Sequence, residues 1–448
     1  MTALPHPSAR LVDGPTGTEL AGPRLVGEIA AAAERLTAQP PGLMLTTMPT
    51  RTQAVIRYLA ALASGRPVAL LDPGLPADFL LDLVARFTPA VVAGPPAALA
   101  PPYGYRADGD SWVCPGAPQP HHQLAVLLTT SGSTGNPKLV RLSRSAVFTN
   151  ARTVARALRL APGDLWPTTL PLHYTYGLTT LNCHLAAGAG VLVTEHGLLD
   201  RPFWSLTESF GATVLATVPY HFEMLRRLRF DPSAHPKLRM ITQAGGRLRG
   251  ELVTEFGRRM SEAGGGLVKM YGMTEAPRIS MLPAERLADK PTSVGPAISG
   301  GALSIDNGEV VYRGPNVMMG YAEHAADLMR GDDLGGMVRT GDLGHLDDEG
   351  FLYIDGRLRR IGKVFGVRVN LDDLEWLLPG HGPVAAVAGD DRVVVWVEEA
   401  GAAARREVAK ELGARLGLHW SGFDVRAVDR LPLLGTGKVD YRTLEERT

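Results

Sequence analysis

A loop rich in glycine and hydroxyl residues occupies residues 129–138, between apolar runs at 124–128 and 139–142. Short apolar runs bounded by turn residues are typical of buried strands, so the sequence predicts a strand, a loop and a second strand. Glycine lets the backbone approach an anion because it carries no Cβ. With its hydroxyl donors and the charge of Lys138, this phosphate loop, as we call it, suits a phosphate ligand.

Two better-known nucleotide loops fit the sequence poorly. A Walker A loop has the form G-x-x-x-x-G-K-[ST] and opens into a helix. Here the glycines are closer together, and Lys138 precedes a strand-like run. The glycines at 264–266 and 188–190 lack the strand, spacing and helix of a Rossmann fingerprint, so a dinucleotide site is poorly supported.

Composition limits the class of protein but does not name a function. The chain has 448 residues, enough for two or three domains, and 46 basic against 46 acidic residues. No extended nucleic-acid surface is therefore expected. With two cysteines, Cys114 and Cys183, and neither a signal-peptide pattern nor an apolar run of about 20 residues, the sequence predicts a cytoplasmic protein that does not enter a membrane.

Short apolar runs alternate with helical patterns, which predicts an α/β fold. The stretch 94–120 is rich in Pro, Gly and Ala and is predicted to be an exposed connection. After about residue 300 the pattern favours β-hairpins, and a charged break at 356–360 precedes a smaller unit. We therefore predict a large domain over residues 1–357 and a small domain over 358–448.

The phosphate loop resembles the signature loop of the adenylate-forming superfamily, which includes acyl-CoA synthetases, luciferases and peptide-synthetase adenylation domains. The resemblance spans roughly residues 62–444. It implies a large N-terminal AMP-binding domain of α/β subdomains and a small, mobile α+β C-terminal domain. It also implies nucleotide-binding roles for loop residues Thr130, Ser131, Gly132, Ser133, Thr134, Gly135 and Lys138.

A second segment, residues 271–275, is similar to the Tyr-Gly-x-Thr-Glu motif of this superfamily. The resemblance places Tyr271, Gly272 and Met273 near the adenine and Thr274 at the α-phosphate. It assigns Glu275 to Mg²⁺, a cation that prefers hard oxygen ligands. Taken alone, Glu275 would more often be a solvated surface carboxylate.

Three shorter motifs complete the implied nucleotide site. Ala244, Gly245 and Gly246 look like the segment against which adenine packs, although an ordinary strand-end turn explains them equally well. Asp342 lies in a Thr-Gly-Asp motif whose carboxylate takes both ribose hydroxyls in the family, and Arg357 matches a ribose or phosphate contact. An aspartate in a turn is usually only turn chemistry, so order along the chain gives Asp342 its weight.

Lys438 follows a Gly-Thr-Gly approach near the C-terminus and resembles the terminal lysine of the superfamily. A cation there can bring the attacking carboxylate and the α-phosphate together in the transition state. An isolated C-terminal lysine would normally be exposed to solvent. We predict Lys438, Thr274 and Glu275 as the catalytic residues.

The resemblance also places a substrate pocket, and its predicted walls suggest an apolar or aromatic acid. These walls are His173, Tyr174, Thr175, Val218 and Tyr220. Thr175 stands where amino-acid-activating members carry an aspartate, which disfavours α-amino acids because a buried ammonium would be unpaired. His173 or Tyr174 matches a gate residue of the family, and a structural histidine is an equal alternative for His173.

The implied reaction joins a carboxylic acid to AMP, using ATP and Mg²⁺, and then to the thiol of coenzyme A or carrier-protein phosphopantetheine. The small domain would rotate between the steps about Arg359, with Lys363 and Gly366 lining a thiol tunnel. A stand-alone acyl carrier protein is a possible partner, because the sequence holds no carrier module; the oligomeric state stays open. The alternative is a non-catalytic nucleotide-binding scaffold, against which the joint presence of Glu275, Asp342, Arg357 and Lys438 argues.

Overall fold

The computed structural model describes residues 4–129, 138–358, 360–365, 367–378, 380–390, 392–435 and 437–448. Within the described residues, the first part of the chain forms β1 (Arg10–Asp13), β2 (Glu19–Ala21), α1 (Gly22–Thr37), β3 (Met44–Thr47), α2 (Thr52–Ser64), β4 (Val68–Leu71), α3 (Ala77–Phe87), β5 (Val91–Ala93), β6 (Arg106–Asp108), β7 (Ser111–Val113) and β8 (Leu124–Thr129).

The middle part forms β9 (Leu139–Ser143), α4 (Arg144–Ala157), β10 (Leu165–Pro167), α5 (Thr175–Ala186), β11 (Gly190–Val193), α6 (Arg201–Phe210), β12 (Val214–Thr217), α7 (Pro219–Arg227), β13 (Met240–Gln243), α8 (Gly250–Glu262), β14 (Gly266–Met273) and β15 (Ala276–Leu282). The last part forms β16 (Ala302–Asp306), β17 (Glu309–Arg313), β18 (Gly320–Ala322), β19 (Met337–Leu346), β20 (Leu352–Arg357), β21 (Ile361–Val364), β22 (Val367–Asn370), α9 (Leu371–Trp376), β23 (Val384–Ala388), β24 (Val393–Glu398), α10 (Ala402–Leu416), β25 (Phe423–Val428) and α11 (Tyr441–Glu446).

An eight-stranded sheet in the order β18-β9-β8-β4-β3-β5-β7-β6 holds the two strands that flank the phosphate loop. β8 and β9 pair antiparallel, with Leu128 opposite Val140 and Thr129 opposite Leu139. All but the last residue of β8 is buried, since the sheet is covered on both faces. The predicted strand–loop–strand arrangement is therefore present, and the loop joins adjacent ends of neighbouring strands.

The stretch 94–120 is more ordered than its composition suggests, so the prediction of an exposed connection was wrong in part. β6 and β7 extend the large sheet as an edge hairpin, with Trp112 opposite Val92. Trp112 and Val113 are buried. The surrounding Pro and Gly residues mask this short strand in the sequence, because its stability comes from packing against β5.

A second sheet of four strands, β12-β13-β14-β15, carries the candidate nucleotide site. β12, β13 and β14 run parallel, and β15 returns antiparallel to β14. β12 reads Val-Leu-Ala-Thr and is fully buried, as expected for a strand covered on both faces. The carboxyl ends of the three parallel strands consequently meet at one edge.

The hairpins predicted after residue 300 are present as the sheet β16-β17-β19-β20. Asp342 lies within β19 rather than in a turn, which corrects the turn interpretation of this motif. Gly341 adopts a φ of 72°, and the pairing of β17 with β19 shifts register beside it. This irregularity changes the direction of the strand beside Asp342.

The described residues from 360 onward, which we call the C-terminal unit, have apolar cores of their own. Two clusters of buried apolar side chains lie wholly within residues 364–444. Arg360 pairs with Glu375 at 2.9 Å and with Asp372, and its guanidinium lies 3.8 Å from the centre of the Tyr441 ring. This network ties the beginning of the C-terminal unit, at Arg360, to its last helix, α11. No helix among the described residues is long and apolar enough to cross a membrane.

Candidate active site

Residues that follow the parallel strands of the second sheet meet at its carboxyl edge. Val218 follows β12, Gly245 follows β13, and Tyr271 lies near the end of β14. Gly245 has a φ of +83°, and a Cβ there would come within 3.1 Å of Val218 Cγ1. Both facts require glycine at 245, so this part of the predicted adenine-packing segment has a structural cause.

Two predicted nucleotide residues, Tyr271 and Arg357, donate hydrogen bonds to the carboxylate of a third, Asp342, and the three come from three different strands. Asp342 is 6% exposed and accepts hydrogen bonds from the Tyr271 hydroxyl and, at 3.0 Å, from Arg357 Nε. Burial, and then the neighbouring Asp342, hold the pKa of Tyr271 well above its usual range, so its hydroxyl stays a donor. Each oxygen of this carboxylate accepts one hydrogen bond from the protein and keeps a second lone pair, so the two oxygens can also accept from the two hydroxyls of a ribose.

Glu275 lies at the turn between β14 and β15 and is 9% exposed. Its carboxylate accepts a hydrogen bond of 2.6 Å from the Tyr321 hydroxyl. The Lys138 ammonium lies 5.9 Å from the centre of the Tyr321 ring and pairs with Glu323 at 2.8 Å. The end of the phosphate loop and the predicted metal ligand thus approach one tyrosine from β18.

A cleft of about 410 Å³ lies beside this tyrosine, lined by Lys138, Tyr321, Glu323 and Arg330 among others. Sequence reasoning did not identify Tyr321 or Glu323. Both belong to β18 or follow it, and β18 comes beside the phosphate loop only by pairing with β9, where Tyr321 lies opposite Val140. No local pattern near residue 321 signals that pairing.

Lys438 reaches the same edge from the C-terminal unit. Its Nζ lies 5.3 Å from the centre of the Tyr174 ring, and its Cε would be 3.8 Å from a Cβ at Gly245. Its neighbour Gly437 has a φ of +75°, and a Cβ there would meet Val218 Cγ2 at 3.1 Å. A Cβ at either Gly245 or Gly437 would thus meet the same side chain, Val218, although Gly437 belongs to the C-terminal unit and Gly245 does not.

The predicted pocket walls divide into two groups. Tyr174, Val218 and Tyr220 surround the C-terminal loop at Gly437 and Lys438. Thr175 donates a hydrogen bond of 3.1 Å to Thr274, which joins the start of α5 to the 271–275 motif. The Tyr174–Thr175 segment therefore connects the predicted acid pocket with the predicted nucleotide site.

His173 makes its polar contact outside this group. Its Nε2 lies 3.5 Å from a carboxylate oxygen of Asp72, and its buried Nδ1 has no hydrogen-bond partner among the described residues. Burial lowers the pKa of His173, against the effect of Asp72. This position suits a structural histidine, and the gate interpretation stays untested.

Several predicted residues cannot be placed. The loop residues Thr130, Ser131, Gly132, Ser133, Thr134 and Gly135, the hinge candidate Arg359 and the tunnel candidate Gly366 lie outside the described residues. Lys363 is exposed on the β21–β22 hairpin, and Ala244 is buried directly after β13. No group of three or more His, Cys, Asp or Glu side chains that could hold a metal is found within the described ranges.

A magnesium ion bound with a nucleotide needs few protein ligands, since phosphate oxygens and water supply the rest. The nearly buried carboxylate of Glu275, which is hydrogen-bonded to the tyrosine whose ring lies near Lys138, fits that requirement. A candidate nucleotide site at one sheet edge, approached by a lysine from the C-terminal unit, is the arrangement expected of the class of adenylate-forming enzymes.

Comparison with known proteins agrees with this class. The chain belongs to the AMP-binding enzyme family, whose model matches residues 24–322. The match begins well before residue 62, so our sequence-based start of the resemblance was too late. Indoleacetate–CoA ligase from Aromatoleum aromaticum is 32% identical over 391 residues, which cover 78% of this chain and 74% of that protein.

Oxalate–CoA ligase from Arabidopsis thaliana is 29% identical over 300 residues, covering 62% of this chain and 57% of that protein. Among solved structures, ATP-bound MatB from Rhodopseudomonas palustris has a TM-score of 0.78 at 22% identity, with 98% and 96% of the two chains covered. The o-succinylbenzoate coenzyme A synthetase of Bacillus subtilis, with ATP and magnesium ion, has a TM-score of 0.76 at 21% identity, covering 97% and 96%. These likenesses confirm the predicted α/β fold with a large N-terminal and a smaller C-terminal domain.

Proposed function

We propose that this protein activates a carboxylic acid with ATP to give an acyl adenylate and pyrophosphate, and then transfers the acyl group to a thiol. The observation that carries the proposal is the position of Lys438 beside Tyr174 and Gly245. A cation at the meeting point of the acid pocket and the nucleotide site can hold two anions together. This arrangement is what the first half-reaction needs.

In that step, the substrate carboxylate attacks the α-phosphorus of ATP and pyrophosphate leaves. Asp342, supported by Tyr271 and Arg357, would hold the ribose hydroxyls. Thr274 would contact the α-phosphate, positioned by its hydrogen bond from Thr175. Each of these groups is fixed by strand pairing or burial before the substrates bind, so little reorganisation is needed during the reaction.

The remaining contacts of the triphosphate fall to the phosphate loop and to Glu275. The backbone of the loop and Lys138 would take the β- and γ-phosphates. Glu275 would hold the magnesium ion, which neutralises phosphate charge when bound. The hydrogen bond from Tyr321 fixes one oxygen of that carboxylate.

The acid pocket favours an apolar or aromatic body. Tyr174, Val218 and Tyr220 supply its walls, and Thr175 offers no charge for an α-ammonium group. The named substrates of the relatives, indoleacetate, oxalate and o-succinylbenzoate, are likewise acids without an α-amino group.

For the second half-reaction we propose coenzyme A as the acceptor, because the similar curated proteins are named CoA ligases. Carrier-protein phosphopantetheine is the second candidate, and it would make a carrier protein the partner. Residues 358–448 would rotate as a domain against residues 1–357 about Arg359, bringing Lys363 and Gly366 toward the thiol. A cytoplasmic location accords with the two free cysteines, Cys114 and Cys183.

The test is ATP–pyrophosphate exchange with a panel of carboxylic acids. Asp342→Ala should raise the KM for ATP at least about tenfold, because hydrogen bonds to a charged group each contribute about 1.5–3 kcal/mol. Asp348→Ala, at an exposed position in the loop of the same hairpin, is the matched control. Exchange with no acid, despite ATP binding, would instead favour the non-catalytic scaffold.

A further inference from the structure

Arg278 is a buried cation that forms no salt bridge with any acidic side chain in the described part of the chain. It lies in β15, three residues beyond Glu275, and is 1% exposed. Its Nε is buried and has no hydrogen-bond partner in the described part of the chain. The guanidinium faces an aromatic ring instead, with its Cζ 5.3 Å from the centre of the Tyr176 ring.

An unpaired buried charge is costly, and proteins normally pair it or place it where a ligand supplies the opposite charge. Burial lowers the pKa of Arg278, and its electrostatic neighbours are the neutral groups Tyr176, Cys183 and Tyr174. Arginine nevertheless stays protonated in proteins. The described residues therefore leave a fixed positive charge beside α5 without an anion.

The place of this charge connects it with the acid pocket. Tyr174, which neighbours Arg278, is also the ring beside Lys438. Thr175, between Tyr174 and Tyr176, bonds to Thr274 of the nucleotide site. The Tyr176 hydroxyl lies 2.8 Å from Thr242 Oγ1, which holds the ring against β13. Two cations thus border one tyrosine-lined segment at the start of α5.

We propose that Arg278 binds the second carboxylate of a dicarboxylic acid whose first carboxylate is adenylated beside Lys438. The inference rests on the proposed function and narrows its substrate class to acids with an anionic far end. A guanidinium matches a carboxylate with two parallel hydrogen bonds, and its plane can stack on an aromatic ring while it does so. Tyr174 and Tyr176 would enclose the apolar body between the two carboxylates.

The experiment compares dicarboxylic acids with their own monomethyl esters, which have the same carbon chain but one charge fewer. Glutarate, adipate and terephthalate are tested in ATP–pyrophosphate exchange with the wild type, Arg278→Met and Arg278→Lys. The wild type should prefer the best diacid over its ester by roughly 100-fold or more in kcat/KM, since the ester leaves the buried cation unpaired. Arg278→Met should abolish that preference mainly through the KM for the diacid, and Arg278→Lys should restore part of it.

Arg258→Met, at an exposed site on α8, is the matched control and should keep the wild-type preference. A wild type that uses esters as well as diacids would overturn the proposal while leaving the proposed function intact. So would an Arg278→Met variant that loses both substrates equally, as expected if Arg278 only packs on Tyr176. Thermal-shift binding of the diacids needs no turnover, so it tests the Arg278 contact separately from the reaction. A shift with the wild type that Arg278→Met lacks supports this contact, whereas equal shifts overturn the proposal.

Discussion

Replacing Lys438 by alanine should separate the two half-reactions. The Nζ atom of Lys438 lies 5.3 Å from the centre of the Tyr174 ring. Its Cε atom lies so close to Gly245 that a Cβ built on that glycine would be 3.8 Å away. Two unit charges 4 Å apart at a protein surface interact by about 4 kcal/mol. Lys438 is only half-buried, so a smaller part of that energy acts selectively in the transition state.

Removal of one preorganised electrostatic group typically costs about 2.7–4 kcal/mol, or roughly 100- to 1,000-fold in kcat. We expect Lys438→Ala to lower ATP–pyrophosphate exchange by that factor. Lys410→Ala, an exposed lysine on α10, should leave exchange unchanged. Lys438→Arg should retain part of the activity, because it keeps the charge but changes its shape.

The second assay starts from a chemically prepared acyl adenylate and coenzyme A. It bypasses the step in which two anions meet, so Lys438→Ala should form the thioester within about twofold of the wild-type rate. Exchange within threefold of wild type, or equal losses in both assays, would refute the assignment of Lys438 to adenylation.

Three further predictions concern stability and the hinge. Burial lowers the pKa of His184 to about 4. The unfolded chain therefore takes up a proton at this histidine below pH 6.5 while the folded chain does not, and the free energy of unfolding decreases as the pH falls from 6.5 toward 4. At pH 5 this decrease amounts to about 2 kcal/mol. We measure the free energy of unfolding in urea at pH 7.5 and at pH 5. Its decrease between the two pH values should be smaller for His184→Asn than for the wild type, and equal to the wild type for the exposed control His122→Asn. Glu375→Gln breaks the largely buried ion pair with Arg360 and should lower the free energy of unfolding by about 2–3 kcal/mol. The control Glu446→Gln breaks an exposed ion pair and should lower it by under about 0.5 kcal/mol. Equal effects of the two substitutions would contradict a stabilising role for the Arg360 network. Arg359→Pro should spare exchange and impair thioester formation, and equal loss of both activities would contradict a hinge at this position.

Sequence patterns predict the fold well where a run of residues carries its own burial signal. β8 and β12 are short, continuous apolar runs ended by turn residues, and both form as expected. β7 is only three residues long and lies among Pro and Gly residues, so its burial against β5 is a tertiary effect. The strand position of Asp342 was missed because Gly341 imitates a turn within a longer strand.

In the candidate site, too, residues within local motifs could be predicted from the sequence, whereas residues brought there by the fold could not. Glu275, Asp342 and Lys438 could be found because each lies in a recognisable motif. Tyr321 could not, since it reaches Glu275 through the pairing of β18 with β9, about 180 residues apart in sequence. In the sequence, Arg278 looks like an ordinary charged residue. Only the structure shows that it is buried and that its Nε has no hydrogen-bond partner among the described residues.

The central claim is tested most directly by the complete reaction. The wild-type protein is incubated with ATP, magnesium, coenzyme A and a mixture of mono- and dicarboxylic acids, and all products are quantified by mass spectrometry. The account predicts AMP, pyrophosphate and an acyl-CoA in equal amounts, all three depending on the acid. ADP and phosphate as products, or bound ATP that no acid converts, would contradict it.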